Sequence, residues 1–181
     1  MKAILVGHTG SQRIRKASEY LTKKYLPAFE VVYIEHIGGT QDWSKFLIDY
    51  LSKINDEYII FALDDYLVAN YMDMGKFLSI KMNGAVCAKL CYANAEENES
   101  YPVTTQYTLW DRRYLIELLG KIQTPWEFEM QGSEIFKKTK QRALFVPCLK
   151  YFTNSSLSAR WEGAKLDGLN EEDVKVIQSM I

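Results

Sequence analysis

The feature that most constrains this chain is the alternation of strand-like and helix-like segments over its first 68 residues. Short strand-like runs lie at residues 2–6, 29–37 and 58–63. The first two are separated by a polar helical segment that runs to about Tyr25, and the second and third by residues 43–54, whose apolar residues have helical spacing. Strands that alternate with helices favour parallel pairing through right-handed crossovers. We therefore predict a three-layer α/β/α sandwich around a mainly parallel central sheet.

The third of these runs ends in two adjacent carboxylates. Tyr58–Leu63 is continuously apolar, which is typical of a strand buried on both faces, and Asp64 and Asp65 follow it directly. Two buried carboxylates need a cation, hydrogen-bond donors or water, and ligands of open α/β sheets bind at the carboxyl ends of the strands. Asp64 and Asp65 are therefore candidate metal ligands, provided that the backbone turns there. The alternative is that the pair only caps a turn or helix.

Composition limits the classes of function. A chain of 181 residues with 48% hydrophobic residues is long enough for one core, so we expect a single domain over residues 1–181. The formal charge of -1 does not favour nucleic acid as a partner. Cys87, Cys91 and Cys148 lack metal-binding spacing, which indicates reduced thiols. The first apolar run is short for a signal peptide, and no run is long enough for a transmembrane segment, so we expect a cytoplasmic location.

A glycine-containing loop follows the first predicted strand. Gly7, His8 and Thr9 begin this loop, and Arg13 lies early in the helix that is expected to run to about Tyr25. Strand, loop and helix start can together bind an anion through backbone N–H groups, so these four residues are candidates for nucleotide binding. The alternative is that the basic residues of this helix form only a solvated face.

The second half of the chain carries further strand and helix signals. We predict a strand over residues 103–110, a helix capped by Asp111, a strand over residues 143–146 and a final helix from Asn170. The polar run at residues 94–100 is expected to be a surface loop, and residues 151–163 are expected to be irregular.

A second candidate site alternates aromatic rings with acids. Trp126, Glu127, Phe128 and Glu129 follow Pro125. In an extended segment the two acids would share one face, whereas on a helix they would diverge. An acid beside aromatic rings is a plausible general base. The alternative is a helix start, in which Glu is favoured in the first turn and Phe128 belongs to the core.

Taken together, these stretches resemble a group of small bacterial and viral glycosyltransferase-like proteins with a GT-A-type fold. The resemblance covers roughly residues 43–136 and depends on the order and spacing of three motifs. They are residues 58–67, the pattern Gln106-x-x-x-Trp110 with Tyr114-Leu115, and the run Pro125-Trp126-Glu127-Phe128-Glu129 followed by Gly132-Ser133. The acid pair here reads Asp-Asp-Tyr, where many GT-A enzymes have Asp-x-Asp.

This resemblance implies an enzyme that moves a sugar from a nucleotide-sugar donor to a hydroxyl of a glycan or small-molecule acceptor, in surface polysaccharide or glycan synthesis. It implies a divalent cation, Mn²⁺ or Mg²⁺, at Asp64 and Asp65. We assign the base of an inverting reaction to Glu129, with Glu127 as the second candidate. Gln106, Trp110 and Trp126 would bind the acceptor.

Two other functions remain open at this point. The chain could be a binding module that keeps a nucleotide-sugar site without turnover. It could also be a nucleotidyltransferase, which uses the same fold class and a metal but normally has a glycine-rich, basic loop after the first strand.

Overall fold

The computed structural model describes residues 1–8, 12–91, 101–153 and 168–180, and the side chains of residues 8, 12, 13 and 151–153 are not described. The strands are β1 Lys2–His8, β2 Glu30–His36, β3 Tyr58–Leu63, β4 Tyr66–Val68, β5 Cys87–Cys91, β6 Thr108–Asp111, β7 Ala143–Leu149 and β8 Tyr151–Thr153. The helices are α1 Gln12–Tyr25, α2 Trp43–Leu51, α3 Met74–Leu78, α4 Arg112–Leu119, α5 Pro125–Lys138 and α6 Glu171–Ser179.

Six strands form one sheet in the order β2-β1-β3-β6-β5-β7, and β4 pairs with β8 in a separate two-stranded sheet. The β1–β2, β1–β3 and β5–β7 pairs are parallel, whereas β6 is antiparallel to both of its neighbours. The three strands predicted from the first part of the sequence are therefore adjacent and parallel. The prediction of a mainly parallel sheet is confirmed.

Helices cover both faces of this sheet. Ala3 and Leu5 of β1 belong to one buried cluster, which also contains residues of α1, α3 and α6. Ile4 and Val6 belong to a second cluster, which contains residues of α2, α4 and α5. Because successive residues of a strand point to opposite faces, one apolar strand supplies both cores. The three-layer α/β/α sandwich is confirmed.

Asp111 caps α4 as predicted, and Asn170 caps α6 in the same way. Asp111 accepts hydrogen bonds from the N–H groups of Arg113 and Tyr114 at 2.8 and 3.1 Å, and the Asn170 side chain caps α6. Asp42 stands before α2, but its side chain makes no capping hydrogen bond.

Two predicted boundaries are wrong. The strand expected over residues 103–110 is only Thr108–Asp111, because Val103 bonds through its N–H and C=O to the Ser133 hydroxyl of α5 instead of to a strand. Part of the segment expected to be irregular, Tyr151–Thr153, pairs with β4. The polar run at residues 94–100 lies outside the described residues.

The three cysteines are buried and form no disulfide bonds with one another. Burial raises the pKa of Cys148 to about 11, which keeps this thiol protonated at neutral pH. In the described part of the chain, no helix is both long enough and apolar enough to cross a bilayer.

Candidate functional site

The backbone turns at the acid pair, as a site built from two successive carboxylates requires. Leu63 ends β3, Asp64 and Asp65 occupy the turn, and Tyr66 begins β4. The N–H of Asp64 still donates to the carbonyl of Val6 in β1 at 3.0 Å, so the pair is held to the carboxyl ends of two central parallel strands. This is the edge of an open α/β sheet where ligands bind.

Asp64 is only 8% exposed and accepts a hydrogen bond at Oδ2 from the Tyr33 hydroxyl at 2.6 Å. Burial raises the pKa of Asp64 to about 7, the Tyr33 bond opposes that rise, and the charge of Asp65 adds to it. Burial also raises the pKa of Tyr33 far above its ordinary value, so its hydroxyl keeps the proton that it donates. A cation at this edge would favour the ionised form of Asp64.

Asp65 has an unsatisfied hydrogen-bond acceptor at the site. Its Oδ1 is buried and has no hydrogen-bond partner among the described residues. Burial raises the pKa of Asp65 to about 6, its own main-chain N–H opposes that rise, and the charge of Glu129 adds to it. A buried carboxylate oxygen without a donor is costly, so this atom is suited to bind a cation or a ligand donor.

Glu129 lies on α5, at the same edge of the sheet. Its Oε1 accepts hydrogen bonds from the N–H and the hydroxyl of Thr105 at 2.8 and 2.7 Å, and from the Thr104 hydroxyl at 3.3 Å. The carbonyl of Thr105 in turn accepts from the N–H of Leu63 at 3.0 Å. The structure thus brings the two candidate stretches together, and Thr105 is the link between them.

The donor set suits a hard divalent cation only in part. Within the described ranges, no group of three or more His, Cys, Asp or Glu side chains could hold a metal. Asp64 and Asp65 supply two carboxylates, one with the unpartnered oxygen described above. Mg²⁺ in particular is usually bound by one or two carboxylates together with water and substrate phosphates. The residues therefore fit a cation that arrives with a diphosphate.

Glu127 does not fit the catalytic role proposed from the sequence. It lies in the first turn of α5 and forms a capping box with Thr124, and it accepts from the N–H groups of Gln123 and Thr124 at 2.7 and 3.2 Å. Because the segment is helical, Glu127 and Glu129 diverge. The helix-start interpretation is correct for Glu127.

Trp110 is also reassigned. Its side chain is 0% exposed. Its ring lies nearly parallel to that of Tyr114, with 6.4 Å between the ring centroids, and its centroid is 5.8 Å from that of the Phe128 ring. An acceptor cannot reach this ring, because β6 directs it into the core beneath α4 and α5. Trp126, in contrast, is 63% exposed one turn before Met130 on α5.

The remaining predicted site residues have untested roles, and all of them except Thr9 lie in the described part of the chain. Gln106 is half-buried next to Thr105, and its N–H donates to the Thr104 hydroxyl. Gly7 and His8 belong to β1, which is longer than predicted, and Arg13 lies in the first turn of α1. Thr9 lies outside the described residues.

Sequence reasoning missed Tyr33 and Thr105, although one signal for the first was present. Gly7 lies inside β1, and a Cβ there would overlap the Tyr33 hydroxyl and the Asp64 carboxylate. Glycine within a strand often marks the close approach of another group. No comparable signal distinguishes Thr105 from its neighbours in the sequence.

Comparison with known proteins extends this description of the fold. No protein-family model matches the sequence, and no curated protein matches it. Solved structures that match this chain include three that are similar over most of their length. One is a glycosyltransferase involved in the glycosylation of the major capsid of PBCV-1, with TM-score 0.55, 13% identity, and coverage of 81% of this chain and 83% of that one.

The second is A197 from STIV, with TM-score 0.53, 16% identity, and coverage of 85% and 86%. The third is the galactosyltransferase LgtC in complex with donor and acceptor sugar analogs, with TM-score 0.56, 6% identity, and coverage of 99% and 96%. Similarity at these identities defines the fold alone. This chain has a GT-A-like fold.

Proposed function

We propose that this protein is a glycosyltransferase that moves a sugar from a nucleotide-sugar donor to an acceptor hydroxyl. The observation that carries the proposal is the buried, unpartnered Oδ1 of Asp65 in a turn that Thr105 ties to Glu129. A carboxylate oxygen without a hydrogen-bond partner and a second carboxylate, which is held by hydrogen bonds, therefore lie at the edge of the sheet where ligands bind. The GT-A-like fold, found in two named glycosyltransferases, supports the same conclusion.

In the proposed reaction, the acceptor oxygen attacks the anomeric carbon and the bond from that carbon to the nucleoside diphosphate breaks. Asp64 and Asp65 would hold Mn²⁺ or Mg²⁺ together with the diphosphate. When bound, such a cation neutralises negative charge on the leaving group. The pair of acids thereby binds and orients the donor.

Glu129 would accept the proton of the attacking hydroxyl. The hydrogen bonds that it receives from Thr104 and Thr105 all end on Oε1, so Oε2 is the oxygen assigned to the acceptor. These bonds fix the carboxylate before substrate binds, which lowers the cost of orienting it in the transition state. The exposed ring of Trp126 would provide an apolar face for the acceptor sugar.

The wider parts of the proposal follow from this reaction. The acceptor would be a glycan or a small molecule, the stereochemical course would be inverting, and the setting would be surface polysaccharide or glycan synthesis in the cytoplasm. Gly7, His8, Thr9 and Arg13 remain proposed contacts of the nucleotide.

The test is release of nucleoside diphosphate from a panel of nucleotide sugars with Mn²⁺ and candidate acceptors, followed by chromatography. Glu129→Gln should lower turnover by about 10²- to 10⁴-fold, because the general base is lost. Asp65→Asn should abolish the response to Mn²⁺. Glu134→Gln, an exposed acid on the same helix, is the matched control and should keep wild-type turnover.

Wild-type turnover in both Asp65→Asn and Glu129→Gln would reject the assigned roles. Calorimetric binding of a nucleotide sugar without any product would favour the binding module instead. Release of pyrophosphate from a nucleoside triphosphate would favour nucleotidyl transfer.

A further inference from the structure

A hydrogen bond crosses strand β1 at the candidate metal site. Tyr33 lies in β2 and Asp64 follows β3, and β1 runs between these two strands. Leu5 of β1 is in register with both Tyr33 and Ala62, so the hydroxyl must reach past β1 to a residue two positions further along. It does so at 2.6 Å from Oδ2 of Asp64.

Gly7 makes this crossing possible. It stands two residues beyond Leu5 on β1, on the same face of the sheet. Any side chain there would start in the space that the Tyr33 hydroxyl and the Asp64 carboxylate now occupy. The glycine is therefore required by the close approach of two side chains from the neighbouring strands.

The Tyr33 ring is itself held from the helix side. The Arg15 guanidinium carbon of α1 lies 4.6 Å from the ring centroid, and its Nη1 pairs with Glu35 Oε2 at 3.2 Å. A cation over an aromatic face is attractive, and the ion pair fixes the guanidinium. The hydroxyl is thus presented to Asp64 by a ring held between α1 and the sheet.

This geometry restricts how Asp64 can bind a ligand. With Oδ2 engaged by Tyr33, the carboxylate has a fixed rotamer and Oδ1 is the oxygen left for a cation. Outer partners that orient a ligating carboxylate typically change metal affinity by about 10- to 100-fold when they are removed. Oδ1 of Asp65, in contrast, has no hydrogen-bond partner among the described residues.

We propose that Tyr33 is a positioning residue that orients Asp64 toward the divalent cation of the donor diphosphate, with Gly7 providing the space and Arg15 holding the ring. This inference rests on the proposed function, because it assumes that Asp64 binds the cation.

The test measures Mn²⁺ binding and does not require turnover. Free Mn²⁺ is followed by its EPR signal as protein is titrated, with and without UDP as the diphosphate probe. Tyr33→Phe keeps the ring and the Arg15 contact and removes only the hydroxyl, so Mn²⁺ affinity should fall by about 10-fold or more. Gly7→Ala should cause the same loss by displacing the hydroxyl.

Tyr20→Phe is the matched control. It removes another tyrosine–aspartate hydrogen bond, to Asp173 at 3.2 Å, and should leave Mn²⁺ affinity unchanged. Thermal unfolding of each variant separates loss of the site from loss of the fold.

The outcomes distinguish this inference from the proposed function. If wild-type protein binds Mn²⁺ through Asp65 and folded Tyr33→Phe binds it equally well, the positioning role is overturned and the metal site stands. If wild-type protein binds no Mn²⁺ with or without UDP, the positioning role and the metal assignment both fall. Turnover in EDTA then decides whether a metal-independent transferase remains.

Discussion

Thr105 donates both its N–H and its hydroxyl to Oε1 of Glu129, at 2.8 and 2.7 Å. Its carbonyl at the same time accepts from the N–H of Leu63 at 3.0 Å, next to the acid pair. The acid on α5 is therefore fixed to the end of β3 through a single residue. The separation between the proposed base and the proposed metal ligands is set by this short connection.

Replacement of Thr105 by Val tests the connection. Val keeps the shape and the main-chain donor but lacks the hydroxyl, so the free energy of unfolding should fall by about 1 kcal/mol. Turnover should fall by about 10-fold, less than in Glu129→Gln, because the carboxylate is still present but less well oriented. Nucleoside diphosphate release and urea unfolding measure the two effects.

Thr139→Val is the control for loss of a threonine hydroxyl, at the residue that follows the C-terminal end of α5. The Thr139 hydroxyl donates to the carbonyl of Ile135 at 2.8 Å, at the far end of α5 from Glu129. Thr139→Val should therefore lower the free energy of unfolding slightly and should leave turnover unchanged. Equal turnover in Thr105→Val and wild type would show that the connection does not orient the base.

The alternation of strands and helices predicted the layers of this fold, because the apolar patterns of a strand and of a helix each depend only on residues close together in the sequence. The apolar run Tyr58–Leu63 could lie only in a buried strand, and the strand it forms lies third in the sheet between β1 and β6. The acid pair was found for the same reason, since a sharp change from apolar to charged residues marks the end of a buried strand. The antiparallel placement of β6 depends on contacts far apart in sequence, and no local pattern indicates it.

The run Trp126–Glu129, in which acids and aromatic rings alternate, shows where local patterns fail to predict structure. Whether Glu127 and Glu129 share a face depends on secondary structure, and Thr124 with Pro125 starts a helix there.

Trp110 looked like a ligand platform because tryptophan occurs in both cores and binding sites. Its burial follows from the strand on which it lies. Tyr33 was missed because its partner, Asp64, lies across an intervening strand.

The buried acid pair should make the metal-free protein less stable as the pH rises. Asp64 and Asp65 have pKa values raised to about 7 and about 6, so the folded protein keeps protons that the unfolded chain has lost above about pH 4. The free energy of unfolding should therefore fall between about pH 4 and pH 7. The shift of Asp64 from 3.8 to about 7 corresponds to a loss on the order of 4 kcal/mol.

Urea unfolding in EDTA at pH 4 and pH 8 measures most of this loss. Asp64→Asn should be more stable than wild type at pH 8, and its stability should vary less with pH. Exposed Asp49→Asn should keep the wild-type difference. Identical pH dependence in wild type and Asp64→Asn would contradict the prediction.

The C-terminal helix α6 is held to α1 by a buried carboxylate. Asp173 is 0% exposed, and it accepts from Lys24 at 2.7 Å, Tyr20 at 3.2 Å, Asn170 at 2.7 Å and the Tyr25 hydroxyl. Burial opposes ionisation of Asp173, but the donors from Lys24 and Tyr25 outweigh it and lower its pKa. The ionised form is therefore the one that stabilises the docked helix.

Asp173→Asn should lower the free energy of unfolding by about 2–3 kcal/mol at pH 7, since bonds to a charged group are lost. Because the pKa is lowered on folding, this stabilisation is present above about pH 4 and is lost as the pH falls below that value. The difference between wild type and variant in urea should shrink at pH 3. Glu172→Gln, on the exposed neighbour of Asp173, should cost less than about 0.5 kcal/mol.

The two tryptophans that the sequence assigned to acceptor binding should differ, with Trp110 affecting stability and Trp126 affecting acceptor binding. Trp110 is 0% exposed, so Trp110→Ala should cost about 3–5 kcal/mol and reduce the amount of folded protein. Trp126 is 63% exposed, so Trp126→Ala should change stability by no more than about 0.5 kcal/mol. If its ring binds the acceptor sugar, the acceptor KM should rise while the donor KM stays the same.

Phe145→Ala provides the comparison for loss of an exposed aromatic ring elsewhere, since Phe145 is 43% exposed on the edge strand β7. Its KM values for donor and acceptor should both match the wild type. An unchanged acceptor KM in Trp126→Ala would remove this ring from the acceptor site. A rise in both KM values, with weaker calorimetric binding of the donor to the enzyme alone, would instead place the ring where it affects the donor as well, because a residue that contacts only the acceptor cannot weaken donor binding in the free enzyme.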